Sequence, residues 1–244
     1  MAGESDLRLV TVDDERLPLA TRALELIVHS IGDVQPVEDL LTEIEERRRG
    51  MPMDGSYHLL AMVDPAEHPV AAAAGVYLKG VNAGFITYLA VRQDQRGREL
   101  GRALRTELVE AMRTEARESA GRDLDWVVGE VRRESPWLRT LVSHGAAIPF
   151  DMPYFHPWQS RRTEGRYVLY REPVADARAE LPPDEVARLL YNIYRRAYRV
   201  RFPLQSDTFG YMLRKLEGRE SVGVHPDFVD IDSDSADPDA GPEL

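Results

Sequence analysis

Arginine and glycine residues are concentrated in one short stretch, Arg96-Gly97-Arg98-Glu99-Leu100-Gly101, with further arginines beside it at Arg92, Arg102 and Arg105. A turn that opens a helix presents free backbone N–H groups, and the helix dipole favours an anion there. Glycine allows the backbone to approach such an anion closely, and guanidinium groups match the geometry of phosphate. These residue types therefore predict a site for a phosphate-bearing ligand.

The elements around this stretch can position such a site. A strand is predicted over residues 85–91, and the helical spacing of apolar residues predicts an amphipathic helix over 100–119, which Gly121 ends. The other predicted strands are 7–12, 58–63, 70–78, 126–131 and 167–170, and the other helices are 17–31, 36–49, 136–144 and two within 182–217. Short, turn-rich gaps indicate an antiparallel meander, and the strand–helix–strand unit over 85–131 indicates one parallel pair.

The strand, loop and helix together resemble the acetyl-CoA-binding motif of the GNAT acetyltransferase superfamily. That motif reads Gln or Arg, two variable residues, Gly, one variable residue, and Gly or Ala; Arg96 matches its first position and Gly101 its last. The order of elements over about residues 7–171 also fits the family. The resemblance implies an α/β fold, a mixed, mostly antiparallel sheet with a splayed parallel strand pair and flanking helices, here followed by a C-terminal helical extension.

The resemblance also implies acetyl-CoA as the co-substrate. The end of the strand should offer backbone groups to the pantetheine arm, and the loop amides should hold the pyrophosphate. The implied cofactor-binding residues are Leu89, Ala90, Val91, Arg96, Gly97, Arg98, Glu99, Leu100, Gly101 and Arg102. Glu99 departs from the pattern, which has Gly at that position. A carboxylate there competes with the phosphate if it points inward and leaves the motif intact if it points to solvent.

Acyl transfer to an amine needs a base, donors for the thioester oxyanion, and often an acid for the leaving thiolate. Many GNAT enzymes place that acid, a Tyr, four residues before the Gly that ends the helix after the fifth strand. The matching position here is Leu141, before Gly145, so this acid is missing. Glu130, at the end of the strand over 126–131, is the first choice as base. Its alternative role is a surface carboxylate paired with Arg132 or Arg133.

An aromatic- and proline-rich segment over residues 149–158 supplies further candidates. Tyr154 and His156 within it could act as acid or base, and the segment could wall an acceptor pocket. Its alternative role is an aromatic plug that covers the sheet. No group of His, Asp and Glu has the spacing of metal ligands, so no metal site is predicted.

Composition narrows the class of protein. The 244 residues contain no cysteine, which excludes disulfides and a cysteine nucleophile. The net charge is −11, but seven of the 42 acidic residues and none of the 31 basic ones lie in 226–244. Nothing suggests the basic patch of a nucleic-acid-binding protein. No apolar run approaches the roughly 20 residues of a membrane helix, and the start does not resemble a signal peptide. The predicted location is cytoplasmic, with no membrane partner.

We therefore predict a GNAT domain over 1–175, a helical extension over 176–225, and an acidic, disordered tail over 226–244. The predicted activity is transfer of an acetyl group from acetyl-CoA to a small-molecule or peptide amine. Two alternatives stay open: an N-acyltransferase that uses a longer acyl donor, and a GNAT-fold CoA-binding sensor with little turnover. The oligomeric state also stays open, with a homodimer as one option.

Overall fold

The computed structural model describes residues 7–12, 16–31, 34, 36–51 and 56–229, without the side chains of Glu43 and Arg47. Within these residues, seven strands join into one sheet. The strands are β1 (Arg8–Thr11), β2 (Tyr57–Val63), β3 (Pro69–Leu78), β4 (Ala83–Val91), β5 (Trp126–Arg132), β6 (Ile148–Pro149) and β7 (Tyr167–Pro173). The α-helices are α1 (Leu17–Ile31), α2 (Val37–Arg48), α3 (Leu100–Ala120), α4 (Pro136–Ser143), α5 (Pro183–Asn192) and α6 (Asp207–Leu216).

The strand order is β1-β2-β3-β4-β5-β7-β6, and all neighbours are antiparallel except β4 and β5. The parallel strands pair only from Ala83 with Trp126 to Ile86 with Gly129. Beyond that point β4 pairs with β3 and β5 pairs with β7, so the two strands diverge toward their C-terminal ends. This geometry confirms the predicted α/β fold with a mixed, mostly antiparallel sheet and a splayed parallel pair.

Helices cover both faces of the sheet. Alternate residues of a strand point to opposite faces, and β3 accordingly divides its alanines between two apolar clusters. On one face α3 buries Leu104, Leu108 and Met112, each contributing about 1.5–3 kcal/mol of burial energy. On the other face, α1, α2, α5 and α6 share a larger cluster with the strands. The residues of the predicted C-terminal extension therefore pack into the same core as the sheet.

A π-helical turn, Ile193–Ala197, continues α5. The amide of Tyr198 donates to the carbonyl of Ile193 at 3.1 Å, which is the i to i+5 pattern of such a turn. The extra residue per turn shifts Tyr198 out of the 3.6-residue register of α5. Tyr198 is 1% exposed and belongs to the large apolar cluster. Apolar periodicity predicted a helix here but not the π-turn that positions this side chain.

Two further features differ from the sequence-based expectations. β6 was not predicted, because two residues are too short to show a period-two pattern, and β7 continues to Pro173. The predicted disordered tail begins with an ordered 3-10 helix, Pro226–Phe228, whose Phe228 packs with Val131 and Trp137. Residues 230–244 of that tail lie outside the described residues. Among the helices that are described, none has the length and apolarity needed to cross a membrane.

Candidate active site

The loop between β4 and α3 places several backbone N–H groups at the start of the helix. Gly97 adopts a positive φ of 76°, and Glu99, also left-handed at φ 58°, is the N-cap of α3. The carbonyl of Glu99 accepts the first helical hydrogen bond, from Ala103 at 3.0 Å. Among the described residues, none accepts a hydrogen bond from the amides of Gly97 through Arg102. Six N–H groups at the positive end of a 21-residue helix are therefore available to an anion.

The side chain of Glu99 lies largely in solvent. It is 64% exposed and forms an ion pair of 2.9 Å with Arg102 one turn along the helix. Its left-handed backbone explains why the family pattern has glycine here, because an L side chain costs about 1–2 kcal/mol in that conformation. Replacement of the pattern's glycine by Glu99 therefore costs backbone energy. It adds little negative charge next to the loop amides, because the carboxylate is exposed and paired with Arg102.

Glu99→Gly is expected to leave the affinity for acetyl-CoA equal or raised, and to raise the free energy of unfolding by up to ~1 kcal/mol because backbone strain is relieved. Calorimetric titration and urea denaturation measure the two effects. Glu67→Gly is the matched control, since Glu67 has a φ of 60° in the distant turn between β2 and β3. It should change stability similarly and affinity not at all. Weaker binding only in Glu99→Gly would mean that Glu99 supports the loop.

The loop arginines are largely engaged by the chain itself. Arg92 binds Asp94 at 2.6 Å and lowers the pKa of that carboxyl group, and Arg105 pairs with Glu172. Arg98, by contrast, donates to the neutral side-chain carbonyl of Gln95 at 2.5 Å. The count of arginines in the sequence therefore overstates the positive field at the loop. An anion here would depend on the backbone amides first and on the remaining guanidinium charge second.

The last residues of β4 present an open backbone edge. Leu89, Ala90 and Val91 pair with Ala73, Ala72 and Ala71 of β3, and β5 has already diverged on their other side. Their backbone polar groups on the β5 side consequently face a gap between two strands. The position suits the predicted contact with an extended arm that carries amides.

Glu130 is the first residue of β5 beyond the paired region. Its two carboxylate oxygens accept hydrogen bonds from two tyrosines, Oε2 from the hydroxyl of Tyr154 and Oε1 from that of Tyr198 at 2.7 Å. The Nε2 atom of His156 lies 3.7 Å from Oε1. Only 8% of the Glu130 side chain and 7% of the His156 side chain are exposed. The structure thus brings together the three predicted catalytic residues, and it excludes the alternative of a surface carboxylate paired with arginine.

The segment over 149–158 reaches Glu130 because hydrogen bonds to β7 and to the π-turn hold it in place. β6 pairs with β7, and Tyr154 forms an isolated β-bridge with Tyr167. The hydroxyl of Tyr194, in the π-turn, donates to the carbonyl of Phe155 at 2.5 Å. The ring of His156 then packs at 4.6 Å from that of Tyr198 and 4.7 Å from that of Trp158. Trp158 is 55% exposed, so this aromatic stack lies between solvent and the carboxylate.

Sequence reasoning missed Tyr198, which comes from the segment beyond α5. The π-turn sets its position, and the next residue, Arg199, adopts a left-handed φ of 55° and binds Glu46 of α2 at 2.5 Å. A buried tyrosine in a helical pattern reads as ordinary packing. The available signal was the run 191–199. It contains more aromatic residues and arginines than the apolar face of a helix requires.

Burial raises the pKa of Tyr154 and of Tyr198 well above its ordinary value, and the adjacent carboxylate of Glu130 raises it further. Both phenols therefore keep their protons and act as donors. Because the unfolded chain ionises near pH 10 and the folded chain does not, each phenol stabilises the fold below that pH.

The free energy of unfolding is accordingly expected to fall as pH rises above about 10, by up to ~1.4 kcal/mol per pH unit for each buried phenol. Urea denaturation between pH 9 and 11 measures the slope, and Tyr198→Phe should reduce it. Tyr211→Phe is the control, because the Tyr211 hydroxyl binds Glu164 at 2.9 Å on the surface. An equal slope in wild type and Tyr198→Phe would contradict the burial of this phenol as a neutral donor.

The position of the missing thiolate acid is apolar in three dimensions as well. Leu141 packs on a small cluster with Val131 and Trp137. A tyrosine of β7 lies in the same cluster: the Tyr170 hydroxyl approaches Gly129 so closely that a Cβ there would lie 2.6 Å away. Burial raises the pKa of Tyr170 to about 12. A side chain at position 129 would therefore force the Tyr170 ring to move.

Comparison with known proteins identifies part of the chain. Residues 27–125 match the acetyltransferase (GNAT) family. This segment is similar to a GNAT domain. No curated protein is similar enough in sequence to match. A protein from Bacteroides thetaiotaomicron assigned to the GNAT family superposes with a TM-score of 0.54 at 14% identity, covering 79% of this chain and 99% of its own. A chain of the NatC complex bound to Gag peptide and CoA superposes at 0.51, also at 14% identity, covering 69% and 99%.

The matched segment divides the candidate site. Residues 27–125 contain the splayed end of β4 and the whole loop at the start of α3. Glu130, Tyr154, His156 and Tyr198 all lie outside it. At 14% identity the structural neighbours establish the GNAT fold alone. The family match therefore supports an acyltransferase in general, and the roles of the carboxylate and phenols rest on their geometry.

Proposed function

We propose that this protein is an N-acetyltransferase that transfers the acetyl group of acetyl-CoA to an amine. The observation that carries the proposal is the position of Glu130, a carboxylate with both oxygens held by phenols at the point where β5 leaves β4. The amide-lined start of α3 lies on the opposite face of the same sheet. A base and an anion site on the two sides of one gap suit transfer between two substrates.

The donor side is supported by unfilled backbone groups. The amides of Gly97 through Arg102 would hold the pyrophosphate of acetyl-CoA, with Arg98 adding charge. The edge of β4 over Leu89, Ala90 and Val91 would bind the amides of the pantetheine arm. Acetyl-CoA supplies the activated thioester, and these residues direct it along the gap between β4 and β5.

The acceptor side is supported by the chemistry of Glu130. An amine is protonated at neutral pH and must lose a proton before it can attack, and a buried carboxylate can take that proton directly or through water. The nitrogen then bonds to the thioester carbonyl carbon, the carbon–sulfur bond breaks, and the leaving thiolate takes up the second proton that the nitrogen loses, so that the products are an amide and a free thiol. The acceptor, a small-molecule or peptide amine, would enter on the face that α1, α2 and the 149–158 segment cover.

Calorimetric titration with acetyl-CoA and release of free thiol across a panel of amines test this proposal. We expect binding, and thiol release that depends on one class of amine. Absence of binding would overturn both acetyl transfer and a CoA-sensing role.

One alternative is favoured by specific observations. Leu141 provides no acid, and Glu130 is nearly closed to solvent, which suits a CoA-binding sensor with little turnover. Binding of acetyl-CoA without thiol release for any amine would favour that sensor. Preference for a long-chain acyl-CoA over acetyl-CoA in the same titration would favour the longer-donor transferase.

A further inference from the structure

We propose that Tyr198, contributed by the π-turn after α5, is a positioning residue that holds the Glu130 carboxylate in its working orientation. This inference rests on the proposed function and assigns to the C-terminal extension a part in the acyl-transfer site.

The geometry of the contact carries the first step. The hydroxyl of Tyr198 donates to Oε1 of Glu130 at 2.7 Å, while Tyr154 donates to Oε2. A glutamate side chain alone can rotate about three bonds, so two donors on its two oxygens fix the plane of the carboxylate. Each oxygen accepts more than one hydrogen bond. The carboxylate therefore keeps lone pairs free for an ammonium proton while its orientation is set.

The second step concerns the strength of the contacts. Tyr154 and His156 approach Glu130 from the 149–158 segment, and Tyr198 approaches it from the extension. A hydrogen bond whose acceptor is a carboxylate is stronger than one between two neutral groups. Each phenol can therefore constrain the orientation of the carboxylate.

The third step concerns how Tyr198 is held. Its ring packs edge-on against Phe85 of β4 at 5.7 Å and against His156 at 4.6 Å. On one side the π-turn bonds its amide to Ile193, and on the other Arg199 binds Glu46 of α2 at 2.5 Å. Packing alone would be satisfied by phenylalanine. The hydroxyl group is required for the contact with the carboxylate, which makes a one-atom substitution informative.

Tyr198→Phe in the full-length chain tests the proposal. We expect kcat for acetyl transfer to the best amine of a panel to fall on the order of 10-fold, with KM for acetyl-CoA unchanged. Tyr211→Phe removes a phenol-to-carboxylate hydrogen bond at the surface. It should change neither quantity.

A second measurement is independent of activity. Melting temperatures of Tyr198→Phe, Glu130→Ala, which removes both carboxylate oxygens, and the double variant form a cycle, in which the double loss should fall short of the sum by about 2–4 °C. Additive losses would show that the contact is absent and would overturn the proposal whatever the activity. A coupled pair whose Tyr198→Phe variant keeps the wild-type kcat would overturn the positioning role and leave acetyl transfer standing. No thiol release by the wild type would overturn both roles, although the coupling would still establish the contact.

Discussion

Replacement of Glu130 by Gln is expected to lower kcat for acetyl transfer by roughly 10²- to 10⁴-fold, the usual contribution of a positioned general base. Gln keeps the size of the side chain, and its carbonyl oxygen can still accept from one phenol. It cannot take a proton from an ammonium group. Affinity for acetyl-CoA should be retained, because the loop that would hold the pyrophosphate lies on the other face of the sheet. Steady-state kinetics and calorimetry on one preparation measure the two quantities.

Glu134→Gln is the matched control. Glu134 lies four residues further along, exposed in the turn that precedes α4. It should leave kcat within twofold of wild type. A Glu130→Gln variant with wild-type kcat across pH would mean that deprotonation of the amine does not pass through this carboxylate, and His156 would become the first candidate instead.

Gly101→Glu is expected to abolish binding of acetyl-CoA, with a rise in Kd of roughly 100-fold or more, equivalent to about 2.7 kcal/mol. Gly101 is buried in the first turn of α3, directly among the amides that lack partners. A side chain there occupies the approach to those amides, and its charge repels a phosphate. Calorimetric titration with acetyl-CoA measures the loss.

The control for this variant is Gly210→Glu, which adds the same side chain to α6. It should keep wild-type affinity. Melting temperatures of both variants separate a lost site from a lost fold, since Gly101 is buried. A folded Gly101→Glu protein with unchanged affinity would refute the placement of the pyrophosphate at this loop, and would also remove the donor side of the proposed mechanism.

The elements that could be predicted are those whose signal lies within a short window. The apolar stripe of α3 recurs every three or four residues, and Gly121 ends the helix with a φ of 69°, so both were evident from sequence. The loop before α3 was evident from its glycines and arginines. Features that depend on pairing between distant residues could not be predicted from a short stretch of sequence. The two-residue strand β6 and the point at which β4 and β5 separate are examples.

The sequence by itself predicted an anion-binding loop at the start of α3 and the candidates Glu130, Tyr154 and His156, and its resemblance to the GNAT family predicted the fold. Only the tertiary structure decided which way Glu99 points, because its left-handed backbone directs the side chain toward Arg102 and solvent. The tertiary structure likewise brought Tyr154 and Tyr198, 24 and 68 residues from Glu130, onto one carboxylate. Contacts over such separations depend on how strands and helices stack. No local sequence pattern predicts how these elements stack. The π-turn that positions Tyr198 also interrupts the 3.6-residue periodicity from which its helix was predicted.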